Sequence, residues 1–247
     1  MKVSRTSFMS VYVLVHGAWG GSWCWKAVRK ELQARGHEVF TPTLSGVGER
    51  SHLLSRQVDL NTHIADVVNL IVWEELSDVV LCGHSYGGCV VTGVADRIPD
   101  RISALVYVDA FVPESGQSLH DTLPIEQKDA QVRGAVESGD GWKVPPIAAE
   151  IFNVNSKDRA WVDAQRTPQS LATFQQPLQL TGAIERIKNV TYILATGWDH
   201  SPFLQFYEKA NAKGWKTRTM PCGHDIQMDQ PGELLEVLLA ASRPTAT

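Results

Sequence analysis

Apolar positions in this chain follow two spacings that alternate from one end to the other. Val11 to His16 reads VYVLVH and stops in a glycine-rich turn, Gly17 to Gly21. A short run that is apolar throughout and rich in valine predicts a strand buried on both faces. A helix is expected to follow, capped by Ser22, running to about Arg35 and stopped by Gly36. His37 to Phe40 predicts a second strand, closed by Thr41-Pro42, and Leu44 to Asp59 a polar loop. Ile64, Val67, Val68 and Ile71 then recur at helical spacing, predicting a helix capped by Asn61 or Thr62 and ending near Glu75. Val79 to Cys82 is a third strand, followed at once by GHSYGG and an apolar helix to about Arg97. Strands at Ala104–Val108, Val190–Ala195 and Trp215–Met220 complete the series, with helices over Phe203–Ala212 and Glu233–Ala241.

Strand and helix in strict alternation predict an α/β fold: a mostly parallel sheet of about six strands flanked by helices. Strand signals vanish between Val112 and Thr181, a stretch holding six prolines from Pro113 to Pro177 and at most four short helical patterns. A connection of that length is expected to be functional, here as a helical lid inserted after the fourth strand. The expected division is a core of residues 1–111 and 182–247 and a lid, or cap, of residues 112–181.

Composition narrows the function. At 247 residues, 43% hydrophobic and 20% charged, the chain matches a soluble globular protein. The net charge of −4, pI of about 6.1 and absence of any Lys/Arg cluster argue against nucleic acid or an anionic membrane as partner. No apolar run is long enough to span a bilayer. The segment MKVSRTSFMS lacks the apolar core of a signal peptide; Met9 is an alternative start, and nothing before Val11 reads as structured. Cys24, Cys82, Cys89 and Cys222 form no C-x-x-C pair, so neither a disulfide framework nor a metal site is expected, and a reducing, cytoplasmic setting is the default.

Gly83-His84-Ser85-Tyr86-Gly87 fits G-x-S-x-G. Its setting gives it weight: an apolar strand runs straight in and a helix straight out, which lifts a serine hydroxyl above the sheet on a strained turn. Ser85 is the candidate nucleophile. The first strand-to-helix loop, His16 to Gly21, is the place for a second oxyanion donor. Ala18 N–H and Tyr86 N–H are the expected pair. The same loop lacks G-x-G-x-x-G spacing, so no dinucleotide is expected, nor any other cofactor.

His224, in PCGHD after the last strand, is the candidate general base. His37, His52, His63, His120 and His200 lack that placement, and His16 and His84 read as structural. Two aspartates compete as the acid. Asp109 ends the fourth strand in ALVYVDAFVP; Asp199 follows the fifth in ATGWDHSP, about one residue later than usual. Asp109 is placed ahead, with Glu114 a remote third, and a carboxylate after so apolar a run requires a buried partner. Gly48-Glu49-Arg50-Ser51-His52 is a polar cluster that either lines the site or ties down the loop by an Arg–Glu pair, the second reading being placed ahead.

The stretches VLVHGAWGGSWCW, PTLSGVGERSH, VVLCGHSYGG, YVDAFVPE and PCGHDIQMDQP together resemble the α/β-hydrolase superfamily. Within it they are most similar to a bacterial esterase group akin to plant methylesterases and hydroxynitrile lyases. The resemblance implies a Ser-His-Asp serine carboxylesterase acting on small hydrophobic esters through an acyl-enzyme, with lactones and pyrethroid-type esters as alternative substrates. It also leaves a cyanohydrin or C–C lyase and a non-enzymatic ligand-binding receptor as competing readings. The lyases of this resemblance carry Thr where Gly17 stands and Lys where Asp225 stands, which favours hydrolysis. Trp19, Trp23, Trp142, Phe152 and Trp161 are candidate walls of an apolar pocket. The partner expected is therefore a small-molecule ester; a homodimer is left open.

Overall fold

In a computed structural model of the chain, residues 9–199 and 201–243 are described. The reading of residues 1–8 as unstructured, and His200, lie outside them. The elements in chain order are β1 (Val11–Val15), α1 (Lys26–Ala34), β2 (Glu38–Phe40), α2 (Leu60–Trp73), β3 (Val79–His84), α3 (Gly87–Arg97) and β4 (Ile102–Val108). Next come α4 (Ile125–Ser138), β5 (Lys143–Val144), α5 (Arg159–Gln165), β6 (Gln169–Ser170) and α6 (Ala172–Gln175). The chain closes with β7 (Val190–Ala195), α7 (Leu204–Ala212), β8 (Lys216–Met220), α8 (Ile226–Asp229) and α9 (Pro231–Ala241).

Six strands form one sheet in the order β2-β1-β3-β4-β7-β8, every neighbouring pair parallel. The apolar runs explain why. Successive side chains of a strand face opposite ways, so a strand covered on both faces must be apolar at every position. Val13, Val15, Leu81 and Tyr107 join the core beneath α2 and α3, while Tyr12, Leu14, Cys82 and Val106 join the core beneath α1 and α9. In a parallel sheet all C-terminal ends share one edge. The loops leaving β1, β3, β4, β7 and β8 are thereby gathered on that edge, where ligands bind in open α/β sheets.

Several local expectations change. Ser22 does not cap α1; its residue opens a 3₁₀ turn over Ser22–Trp25, and its hydroxyl instead meets Thr41 Oγ1 at 2.7 Å and accepts from Arg29 at 2.9 Å. The cap of α2 is Asp59, not Asn61 or Thr62: Asp59 accepts from Thr62 N–H, and the Thr62 hydroxyl reaches back to Asp59 N–H. The final helix starts at Pro231 rather than Glu233, as a proline tolerated in the first turn allows. Residues expected to lack strands hold the antiparallel pair β5–β6, only two residues each and too short to show periodicity. Arg50 does not pair with Glu49. It donates to Thr43 O at 2.9 Å and faces Asp66 at 3.7 Å, which fixes the loop after β2 to α2.

Candidate active site

Ser85 sits on the turn between β3 and α3 with φ of 54°, in the left-handed region that a non-glycine residue rarely adopts. The turn is held by Ser85 N–H to Val108 O at 3.2 Å and by Phe111 N–H to Ser85 O at 3.1 Å. It is also held by lack of room. A Cβ on Gly83 would lie 2.6 Å from Gly87 O, and one on Gly87 would lie 2.6 Å from His16 O. The strained turn therefore requires glycine on both sides of the serine, and packing pins what the backbone alone would not choose.

β4 ends one strand away. Asp109 is wholly buried, with φ of 42°, its N–H bonded to Ile193 O at 2.7 Å. Its Oδ2 accepts from His224 Nδ1–H at 2.7 Å and from Trp198 Nε1–H at 3.3 Å; Oδ1 accepts from Ala195 N–H at 3.0 Å. Burial pushes the carboxyl upward, and these donors pull the other way. Asp199, the competing acid, is exposed on the rim of the cavity; the carboxylate on the imidazole is that of Asp109. Trp198 immediately precedes Asp199 in the same loop, and no sequence pattern marks its indole as a partner of Asp109.

The His224 ring lies among aromatic faces. Phe203 stacks on it at 5.0 Å and 10°, and Phe152 and Trp198 each approach to 5.1 Å. Ser85 and His224 line one cavity of about 640 Å³. Its walls come from the sheet edge (Ala18, Trp19, Tyr86, Phe111), from the insert (Leu119, Leu123, Val144, Ile147, Phe152, Phe174) and from the loop after β7 (Trp198, Phe203). Of the five expected pocket aromatics, Trp19 and Phe152 line it. Trp23 and Trp161 instead pack edge-to-face on each other at 5.2 Å, and Trp142 lies beneath the cations of Arg56 and Lys143.

The two expected oxyanion donors border the same cavity. Among the described residues, neither Ala18 N–H nor Tyr86 N–H is engaged by a turn or side-chain acceptor. The loop bearing Ala18 is pinned just beyond it. Trp19 has φ of 61°, its N–H donates to Gln169 Oε1 at 2.9 Å, and its indole donates to Val144 O at 3.1 Å. Gln169, buried in β6, is a site residue that the sequence did not flag.

His16, His63 and His84 are buried around the site. His16 Nδ1–H donates to Gly17 O at 2.7 Å while Nε2 accepts from Leu44 N–H at 3.1 Å, and burial pushes its pKa down to about 4. His63 is buried behind the elbow and bonds Tyr86 Oη at 2.8 Å. His84 bonds His224 O at 3.0 Å; burial, with His224 beside it, pushes its pKa down to about 3. A Cβ on Gly17 would lie 2.9 Å from both His84 Nδ1 and Ser85 Cβ, so threonine there requires one of them to move.

A parallel sheet with a strained serine turn at its centre, a histidine after the last strand and a helical insert above them is the architecture of the α/β hydrolases. The chain belongs to that family, the Alpha/beta hydrolase family, which matches residues 12–237. It is 49% identical over 240 residues to a carbendazim hydrolyzing esterase of Nocardioides sp. (strain SG-4G), covering 94% of this chain and 99% of the relative. It is also 35% identical over 118 residues to Methylesterase 2 of Arabidopsis thaliana, a match spanning 43% of this chain and 41% of the relative. Among solved structures, an extracellular α/β-hydrolase from a Paenibacillus species superimposes with a TM-score of 0.82 at 23% identity, over 95% of this chain and 100% of the other. A pyrethroid hydrolase from Sphingobium faniae does so with a TM-score of 0.72 at 21% identity, over 95% and 97%. At such identities these last two likenesses are of fold. Among the described residues, no helix is long and apolar enough to cross a membrane.

Proposed function

We propose that the chain is a serine carboxylesterase for small hydrophobic esters, with Ser85 as nucleophile, His224 as general base and Asp109 as the acid that orients it. The observation that carries this reading is the 2.7 Å bond from His224 Nδ1 to buried Asp109, beside a cavity that His224 and Ser85 both line. That bond puts the proton on Nδ1 and leaves Nε2 as the acceptor a base needs. Ser85 Oγ attacks the ester carbonyl as His224 takes its proton. The developing oxyanion is met by Ala18 and Tyr86 N–H, and losing one such donor typically costs about 2.7–4 kcal/mol. Collapse returns the proton to the departing alcohol. Water, deprotonated by His224, then cleaves the acyl-serine and releases the acid.

Substrate size follows from the walls. A cavity of about 640 Å³ with aromatic and aliphatic lining suits a compact apolar ester. The Nocardioides relative is named for hydrolysing carbendazim and a structural neighbour for pyrethroids, both compatible with such a cavity. The insert serves as a lid, since it supplies the side of the cavity away from the sheet. Two features weigh against the lyase: Gly17 stands where that chemistry carries threonine, which here requires His84 or Ser85 to move, and Asp225 stands where it carries lysine.

The test is turnover of p-nitrophenyl acetate and butyrate. An initial burst or steady release is expected, lost in Ser85→Ala. Aldehyde release from a cyanohydrin would indicate the lyase instead. Stoichiometric binding without turnover by folded protein would indicate a receptor and overturn the assignment.

A further inference from the structure

Arg166 and Asp225 form an ion pair at 2.9 Å with side chains only 5% and 6% exposed. Arg166 belongs to the insert; Asp225 directly follows His224. A buried ion pair is a weak source of stability, because desolvating both charges offsets most of their attraction, and apolar residues of similar volume often do as well. Its location therefore calls for another explanation.

Two routes lead from this pair to the His224 backbone. The Arg166 guanidinium lies 5.0 Å from the Phe152 ring centre and donates to Ile147 O at 2.8 Å. The carbonyl of that same Phe152 accepts the His224 N–H at 2.9 Å. On the other flank, Asp225 Oδ1 accepts from Gln227 Nε2 at 3.2 Å, and the same nitrogen faces His84 Nδ1 at 3.4 Å. With Nδ1 as acceptor, His84 carries its proton on Nε2 and donates it to His224 O at 3.0 Å. This donor order requires a neutral His84, and its burial supplies one. The base is thus gripped at its N–H through Phe152 and at its carbonyl through His84, and both grips close on one ion pair.

We propose that Arg166 and Asp225 are positioning residues that hold His224 in register with Ser85 and Asp109, making the insert a structural part of the base rather than only a cover. The proposal rests on the catalytic reading above. It also implies that residues 147–166 stay docked during turnover, leaving α4 and its flanks to admit substrate.

The test uses the whole chain. Arg166→Met with Asp225→Leu refills the volume without charge and should unfold in urea at or above the parent's midpoint. The expected result is a kcat lower by about 10²-fold, the order set by a small misplacement of a reacting group, with KM within about 3-fold. Proton NMR should show a low-field His224 Nδ1–H resonance in the parent and its loss or broadening in the double variant. Arg166→Lys should recover part of kcat. A folded double variant with kcat within about 3-fold of the parent and a sharp resonance overturns the proposal. If the double variant does not fold, Arg166→Lys decides: unchanged kcat and resonance overturn it, and a lower kcat at constant KM with a broadened resonance supports it. If the parent turns over no ester while the resonance responds as described, positioning stands and the esterase reading falls.

Discussion

Replacing Asp109 by asparagine tests the site most directly, because the neighbours decide which way the amide will turn. Three donors converge on the carboxylate: His224 and Trp198 on Oδ2, and Ala195 N–H on Oδ1. An amide has one oxygen, so one side must face an NH₂. If the NH₂ faces Ala195, a buried backbone donor at 3.0 Å is left opposite another donor, costing about 1–3 kcal/mol. If it faces His224, the imidazole escapes by changing tautomer, and the only bond lost is the 3.3 Å one from Trp198, which is partly exposed. The second arrangement is the less costly. It places the proton on Nε2, the nitrogen that the proposed mechanism requires to be empty. The expected loss is therefore that of a wrong tautomer, about 10⁴ in kcat, equivalent to about 5.4 kcal/mol of barrier. The assay is steady-state release from p-nitrophenyl butyrate at pH 7.5 beside Asp199→Asn, which should stay within about 3-fold of the parent because it touches nothing on the imidazole. Retention of more than a tenth of kcat by Asp109→Asn, or a larger loss in Asp199→Asn, would refute the reasoning.

Acid should destabilise the fold earlier than carboxylate titration alone predicts. His16 and His84 have folded pKa values pushed down to about 4 and about 3, so below the unfolded value near 6.5 the unfolded chain binds more protons. Stability is whole above that value and falls with pH; at pH 5 each costs about 2 kcal/mol, seen as a lower urea midpoint, and a midpoint flat from pH 7.5 to 5 would contradict it. Gln169→Leu removes the acceptor from the Trp19 N–H and should lower kcat by about 10-fold through the neighbouring Ala18 amide; unchanged kcat in folded protein would detach that residue from the site. Gly17→Thr should lower esterase kcat at least about 10-fold, since His84 or Ser85 must shift to admit it, with single-turnover acylation as the readout. Trp198→Phe takes one donor from Asp109 but keeps an aromatic face on His224, so a fall in kcat of only a few-fold, about 3, is expected.

The legible parts of this chain were those whose cause is local. Continuous apolar runs mark β1, β3, β4 and β7, which are covered on both faces, while the more exposed edge strands β2 and β8 carry no such run. The glycines around Ser85 marked the elbow because backbone atoms fill the places their side chains would need. Asp109 was distinguishable from Asp199 only by the requirement that a carboxylate after Val-Tyr-Val find buried partners, and the partners themselves come from β7 and the loops after β7 and β8. Gln169, Arg166 and Trp198 were invisible for a related reason: each acts across a long sequence separation, 150 positions between Gln169 and Trp19. The tryptophans misled because an indole's size predicts burial against something, not which cavity it faces; Trp142 found two cations and Trp161 found Trp23.

Sheet order explains why so dispersed a set of residues meets. β3 and β4 are adjacent, and His84 pairs with Val108 in register, so the residues that follow them, Ser85 and Asp109, leave the edge side by side. β1 flanks β3 on the other side and brings the Ala18 loop to the same point, while β7 and β8 bring Trp198 and His224 from the far side. Each of these five strands thus brings a site residue to its C-terminal end, and the strand spacing of roughly 4.8 Å sets the scale on which Ser85 and Asp109 are separated. The sheet does not, however, fix the last member. His224 follows the edge strand β8, which is mostly exposed and paired on one side only. An imidazole hung from an edge strand has the least support from the sheet and the greatest need of support from outside it. That need accounts for the concentration of insert contacts there: Phe152 O on its N–H, Asn153 O packed where a side chain on Gly223 would be, and Arg166 on Asp225.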